Sequence, residues 1–147
     1  MTTRLDADLG AELITELLDQ GECVQFVARG RSMWPFIMDG DTVCIDPRLD
    51  ELAIGDVVLA SLSAVGPLHR LVAGPRDGRY LLRGDALPNV DGWVDRGQIL
   101  GRLVARSRDG RSLRLYRGRS AVFASSCLGY TRGILSRFRH GILGRRA

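Results

Sequence analysis

The chain has 147 residues, of which 45% are hydrophobic and 26% charged, a composition typical of one folded domain with a sizeable core. All 21 of its Lys and Arg residues are arginine, which excludes any mechanism that needs a lysine base. The charge is uneven along the chain. Residues 1–109 carry 17 acids and 12 arginines, a net charge of −5, whereas residues 110–147 carry nine arginines and no acid, a net charge of +9.

Targeting signals and metal motifs are not apparent. No uncharged apolar run approaches the roughly 18 residues that span a bilayer, and the acidic N-terminus does not resemble an export signal. We therefore expect a cytoplasmic protein that touches a membrane at most peripherally. Cys23, Cys44 and Cys127 are widely spaced without a C-x-x-C pair, which predicts reduced thiols. We expect neither a metal nor another cofactor, and no cysteine has the local context of a nucleophile.

The first predicted element is a helix within residues 1–22. Asp8 is placed to cap it and Gly21 to end it. Its apolar residues recur at helical spacing on one face: Leu9, Leu13, Leu17 and Leu18. A single helix of this length is too short for a helix-turn-helix domain.

Residues 23–118 have the spacing of β-strands. Seven short β-prone runs, punctuated by Gly, Pro or Asp, predict a compact, mostly antiparallel β domain. They are CVQFVARG, DTVCIDP, GDVVLASLS, LHRLVAG, GRYLLRGD, GQILGRLVARS and RSLRLYRG. Asp109-Gly110 is a hairpin signal between the last two runs.

The segment 119–147 is predicted to be a basic amphipathic tail with helical character. Two interpretations stay open: a frayed helix that packs on the sheet, or a segment that lies on an anionic membrane surface or an acidic partner. Nucleic acid is disfavoured because no recognition motif accompanies the arginines. The apolar stripe consists of Phe123, Leu128, Ile134, Leu135, Phe138 and Ile142.

Ser32 lies in a stretch, Gly30 to Pro35, that is built to bend. The glycine permits a sharp turn and the proline stiffens its exit, so the turn could present the Ser32 hydroxyl. The backbone N–H groups of Arg31 and Ser32 could then point at one oxyanion. Taken alone, such a serine is more often a solvated or capping residue.

A serine nucleophile needs a base, and without lysine the histidines are the candidates. His140 lies among arginines in the tail and is interpreted as solvated. His69 lies in the strand-like run LHRLV, where a histidine is more often structural, although an imidazole can take a serine proton near neutral pH. An orienting carboxylate is offered by Asp85 or Asp91 in RGDALPNVD.

Several short blocks follow one another in order along the chain: G-x-S-M-x-P (30–35), G-D (40–41), G-D-V-V (55–58), H-R-L-V (69–72), R-G-D-A (83–86), Asp91 and I-L-G-R (99–102). Together these blocks resemble the type I signal peptidase superfamily, which includes the self-cleaving SOS-type repressors. The resemblance covers about residues 26–105 and is closest to the histidine-base form of archaea and the endoplasmic reticulum. It implies a coiled, barrel-like antiparallel β-sheet.

The resemblance implies a serine endopeptidase that cleaves an extended, leader-like peptide through an acyl-enzyme. By it, Ser32 is the nucleophile, His69 the base, Asp91 its orienting carboxylate and Asp85 a structural residue beside the site. The family's β domain holds its peptide by strand addition.

The chain departs from the family in lacking a membrane anchor and in having Gly30 and Arg31 before the serine. Two alternatives follow: a non-catalytic peptide-binding or scaffolding member of the fold, and a membrane-associated regulator that acts through its basic tail. Self-cleavage is a variant of the catalytic hypothesis.

Overall fold

The computed structural model describes residues 2–4, 10–61 and 66–128, and most of them belong to one sheet. Its strands are β1 (Thr2–Arg4), β2 (Cys23–Val27), β3 (Thr42–Asp46), β4 (Val57–Ala60), β5 (Leu68–Arg76), β6 (Arg79–Arg83), β7 (Gly92–Asp95), β8 (Ile99–Arg108) and β9 (Arg111–Leu113). A short 3₁₀ turn, Arg96–Gln98, leads into β8. The strand order is β1-β2-β3-β8-β4-β5-β6-β7, and β9 pairs with β8.

The predicted mostly β fold is confirmed, and each of the seven predicted runs contains a strand. Every pairing is antiparallel except that of β1 with β2, which is parallel. Among the described strands, the sheet stays open between β1 and β7 and does not close into a barrel. Strands β1 and β7 were not predicted, because β1 falls in the span assigned to the helix and β7 begins in the turn-rich stretch RGDALPNVDGW.

Helix α1 (Ala11–Asp19) covers one part of the sheet. It begins after Gly10, so the prediction that Asp8 caps it is wrong; Asp8 itself lies outside the described residues. Gly21 ends the helix as predicted, with φ of +85° and an N–H that donates to Leu18 O at 3.0 Å.

Two hairpins of the sheet turn on Asp-Gly pairs. Asp109 and Gly110 have φ of 50° and 74°, and Asp77 and Gly78 have φ of 51° and 74°. Both central residues of a type I′ turn require positive φ, which Asp tolerates and Gly adopts freely. The first pair was predicted, and the second carries the same signal.

The core forms two clusters on the sheet. The first joins α1 to β2, β3 and the loop after β2, and its buried members include Ile14, Leu18, Val24, Met33, Ile37, Val43, Ile45, Val57, Leu59 and Leu103. The second lies toward β6 and β7 and includes Val58, Leu71, Tyr80, Leu82, Val94 and Ile99. Because the 30–41 loop contributes to the first cluster, its position is set by core packing.

Residues 118–128 form a second helix, α2, which packs on the sheet. Arg83 of β6 donates to Ser125 Oγ at 2.7 Å and to Ser126 Oγ at 2.9 Å. A Cβ on Gly55 would lie 2.3 Å from the Gly118 backbone, so these two segments of the chain pack too closely for any side chain at position 55. The rest of the predicted tail, 129–147, lies outside the described residues. Within the described ranges, no helix is long and apolar enough to cross a membrane.

Candidate active site

The turn that carries Ser32 is tied at both of its sides. Gly30, at φ +92°, donates its N–H to Asp39 Oδ1 at 2.8 Å, and Trp34 N–H donates to Arg31 O at 3.2 Å. Met33 and Ile37 turn inward into the core. Ser32 is therefore left partly exposed on the outer side of a turn whose inner side is anchored.

Asp41 holds the base of this loop. Its buried carboxylate accepts from Met38 N–H at 2.9 Å and from both nitrogens of the Arg108 fork, at 2.6 and 2.9 Å. Burial acts to raise the pKa of Asp41, but the hydrogen bonds from Arg108 and Met38 and the charges of Arg108 and Arg106 outweigh it, and the pKa lies below its ordinary value. The carboxylate is thus held ionised as a brace of the loop.

His69 and Asp91 are brought together from separate strands. His69 Nδ1 lies 2.5 Å from Asp91 Oδ2, with the His69 side chain 6% exposed and that of Asp91 19% exposed. Asp91 is positioned just before β7 by its own N–H, which donates to Leu82 O at 2.8 Å. An ionised carboxylate can only accept a hydrogen bond, so Nδ1 is the donor in this pair; in the neutral imidazole, Nε2 then has a free lone pair.

The free nitrogen of His69 faces the Ser32 turn. Among the described residues, Nε2 is a buried atom with no hydrogen-bond partner. A Cβ on Gly84 would lie 3.0 Å from Nε2 and 2.8 Å from Ser32 O, so the imidazole and the serine main chain flank the same small space. Ser32 O accepts from Ala86 N–H at 2.8 Å, which ties the turn to this wall. Ser32 Oγ is not hydrogen-bonded to Nε2 in this arrangement.

Asp85 serves Arg70 instead of His69. The two buried side chains form a two-bonded ion pair, with both N–O distances 2.7 Å. The third nitrogen of Arg70 donates to Gly55 O and Tyr116 O, each at 2.7 Å. This network fixes the strand that bears His69, in keeping with the structural role predicted for Asp85.

An apolar cleft of about 370 Å³ opens beside Ser32. One wall is the end of β2 and its continuation, residues 26–29, and the other is residues 66–68. Ala28 N–H donates to Asp41 O, and Ala28 O accepts from Gly40 N–H, so the backbone groups of Ala28 point toward β3. Because successive residues of a strand point their backbone groups in opposite directions, those of Val27 and Arg29 point toward the other edge. Strand β1 covers only Cys23–Gln25 of that edge.

Backbone donors are available at the serine. Within the described part of the chain, the N–H groups of Arg31 and Ser32 have no acceptor, whereas that of Gly30 is occupied by Asp39. The first two stay the candidate donors for an oxyanion, and their role is still a prediction.

Other chemistries have less support in the described residues. No group of three His, Cys, Asp or Glu side chains is arranged there to hold a metal ion. Burial, and then the charges of Cys23 and Asp46, raise the pKa of the Cys44 thiol, which lowers its thiolate fraction.

Sequence reasoning left two parts of this site without a role. Gly84 was noted only as part of the R-G-D-A block, but its lack of a side chain keeps open the space between Ser32 and His69. Arg70 was read only as the residue after His69, although a charged residue among apolar neighbours in a strand signals a buried pair.

Comparison of the chain with protein-family models, curated proteins and solved structures finds no match.

Proposed function

We propose that the chain is a serine endopeptidase of the signal-peptidase type, with Ser32 as nucleophile, His69 as base and Asp91 as the carboxylate that orients it. One observation carries the proposal: the Asp91 contact at 2.5 Å leaves a buried, unpartnered His69 Nε2 that faces Ser32 across Gly84. An unsatisfied buried nitrogen is costly to a fold, and catalysis gives a reason to retain it.

In the proposed reaction, His69 Nε2 takes the Ser32 hydroxyl proton as Oγ attacks the scissile carbonyl carbon. The oxyanion that forms is received by the N–H groups of Arg31 and Ser32. Nε2–H then protonates the leaving amine as the C–N bond breaks, which leaves an acyl group on Oγ. A water molecule deprotonated by Nε2 hydrolyses this ester. Asp91 stabilises the transient imidazolium without taking its proton.

The proposed substrate is an extended segment of a polypeptide. The wall at residues 26–29 offers a backbone edge at Val27 and Arg29, so a strand that pairs with it in the cleft would pass Ser32. The Ser32–His69 hydrogen bond would form as the peptide fills the cleft, since such bonds are often loose before substrate binds. A leader-bearing precursor, in the cytoplasm or at its membrane face, fits this description. Self-cleavage is a variant of the proposal, in which the substrate is another copy of this chain.

Labelling with a fluorophosphonate, which reacts with activated serines, tests the proposal. The parent chain should be labelled at Ser32, and both Ser32→Ala and His69→Gln should abolish labelling. Ser112→Ala, which removes an exposed hydroxyl in β9, is the matched control and should label normally. If folded Ser32→Ala protein is still labelled, Ser32 is not the nucleophile. If folded His69→Gln protein is still labelled, His69 is not the base.

A non-catalytic peptide-binding module is the second candidate, and the unformed Ser32–His69 hydrogen bond favours it. Peptide binding with no labelling and no cleavage would establish this function. Loss of both binding and folding in His69→Gln would mark the histidine as structural.

The basic tail is proposed to contact an anionic membrane or an acidic partner. Phe123 of α2 is 73% exposed beside a segment with no acid. Flotation with anionic liposomes tests membrane contact, with the full chain compared with a chain that ends at residue 128 and with Phe123→Ser. Equal flotation of all three proteins would reject a role of residues 119–147 in membrane binding.

A further inference from the structure

The cleft beside Ser32 has a deep, apolar and adaptable floor. Met33, Ile37 and Leu59 line it and are each 4% exposed or less. Two methionines, Met33 and Met38, contribute flexible thioether side chains that adjust to different shapes. A floor of this kind accepts long or branched aliphatic side chains, and a cleft of about 370 Å³ exceeds what an alanine side chain would fill.

The charge at the rim of this cleft is positive and unbalanced. Arg29 is the one charged residue that lines it among the described residues, and it is exposed. Neither Arg29 nor Arg31 has an ion pair within the described part of the chain. By contrast, six other arginines there are paired with aspartates: Arg48, Arg70, Arg102, Arg106, Arg108 and Arg117.

A second pocket next to the cleft adds little negative charge to balance these arginines. It is about 330 Å³ and is lined by Arg31, Trp34, Met38 and Asp39. Asp39 is its only acid among the described residues, and one carboxylate oxygen already receives Gly30 N–H. Among the described residues, no carboxylate neutralises the guanidinium at the open rim of the cleft, which makes it a candidate partner for a carboxylate of a bound peptide.

We propose that the cleft selects acidic peptides: extended segments that place a bulky aliphatic side chain on the Met33–Leu59 floor and a carboxylate near Arg29. This inference rests on the proposed function for the position of the scissile bond, but its selectivity is a property of binding. It also makes the arginine-rich tail of a second copy a poor occupant, because like charges would meet at the rim.

The test measures binding and cleavage separately. Short capped peptides of Ser and Ala, with one scanned position as Leu or Ala and a second as Asp, Asn or Lys, are titrated against Ser32→Ala protein and offered to the parent. Leu should be preferred over Ala by about tenfold. Asp should be preferred over Lys by about threefold, and added salt should weaken this charge preference alone.

Reversal of the rim charge is the decisive variant. Arg29→Glu should turn the order to Lys over Asp while leaving the Leu preference intact. Arg79→Glu changes an equally exposed arginine on the β5–β6 hairpin and should leave both preferences unchanged. Because both positions are exposed, both variants should fold, which thermal unfolding checks.

The outcomes separate the two proposals. Selective binding without cleavage supports the inference and rejects the peptidase. Cleavage with no difference between Asp and Lys peptides, or a ranking that Arg29→Glu does not change, overturns the inference and leaves the peptidase standing. Equal binding of Leu and Ala peptides overturns the aliphatic anchor.

Discussion

Substitution of Gly84 by alanine should damage the candidate site through contact alone. The added Cβ would lie 2.8 Å from Ser32 O, 2.9 Å from Leu87 Cδ1 and 3.0 Å from His69 Nε2, which is 0.4 to 0.6 Å closer than the 3.4 Å of ordinary contact. The Leu87 methyl can rotate away. Ser32 O cannot do so freely, because it is backbone and accepts Ala86 N–H at 2.8 Å. The turn and the imidazole must therefore move apart.

The expected result is a larger loss of reactivity than of stability. A misplacement of about 1 Å costs roughly 10²-fold in rate, so a shift of half that size should slow fluorophosphonate labelling by about tenfold. The stability cost of overpacking should be about 1–2 kcal/mol, measured by denaturant unfolding. Gly97→Ala is the control, since a Cβ there meets nothing within 4 Å. Folded Gly84→Ala protein that is labelled at the parent rate would refute the reasoning.

Three further predictions concern the carboxylates. Asp91→Asn should lower the labelling rate by roughly 10³- to 10⁴-fold through the wrong imidazole tautomer, with a change in unfolding free energy under about 1 kcal/mol; normal labelling would contradict this. Asp85→Asn should destabilise the fold by about 3–5 kcal/mol because it leaves Arg70 buried without its counter-charge, as thermal unfolding will show. Asp41→Asn should cost about 2–3 kcal/mol at neutral pH. Because the pKa of Asp41 is lowered in the folded state, its contribution is complete above the ordinary value of 3.8 and is lost as the pH falls through the lower folded value. Acid titration should therefore destabilise the parent more than D41N, and equal slopes would contradict the assignment.

The strands were predictable because their signals are local. Alternation in the seven runs, and Asp-Gly at residues 109–110, depend only on neighbouring residues and on the φ that each residue tolerates. Elements without such a signal were missed. Strand β7 follows the turn residues Pro88 to Asp91 and was taken as part of their loop, and β1 lies in the span assigned to the helix and pairs in parallel with β2. The start of α1 was misplaced because propensity places helix ends only loosely.

The candidate residues Ser32, His69 and Asp91 could also be named from the sequence, because the blocks that contain them resemble those of the signal peptidase superfamily in order; membership in that superfamily stays a prediction. The roles of the two aspartates came only from that resemblance, which assigned Asp91 to His69 and a structural role to Asp85. Asp85 and Asp91 are six positions apart in one loop-rich stretch, and nothing local tells which of them reaches His69. In the structure, Asp85 pairs with Arg70 and Asp91 contacts His69, because β5, β6 and β7 are adjacent in the sheet.

The sequence by itself determined seven of the nine described strands, the absence of lysine and the turn around Ser32, since these follow from residue type and local periodicity. Only the tertiary structure decided that an imidazole nitrogen would be buried without a partner opposite that turn, with Gly84 keeping the space between them open. It also left Arg29 unpaired at the rim of an apolar cleft. Such arrangements join residues far apart in the chain, and their energies depend on distance and burial, which arise only when the sheet is assembled.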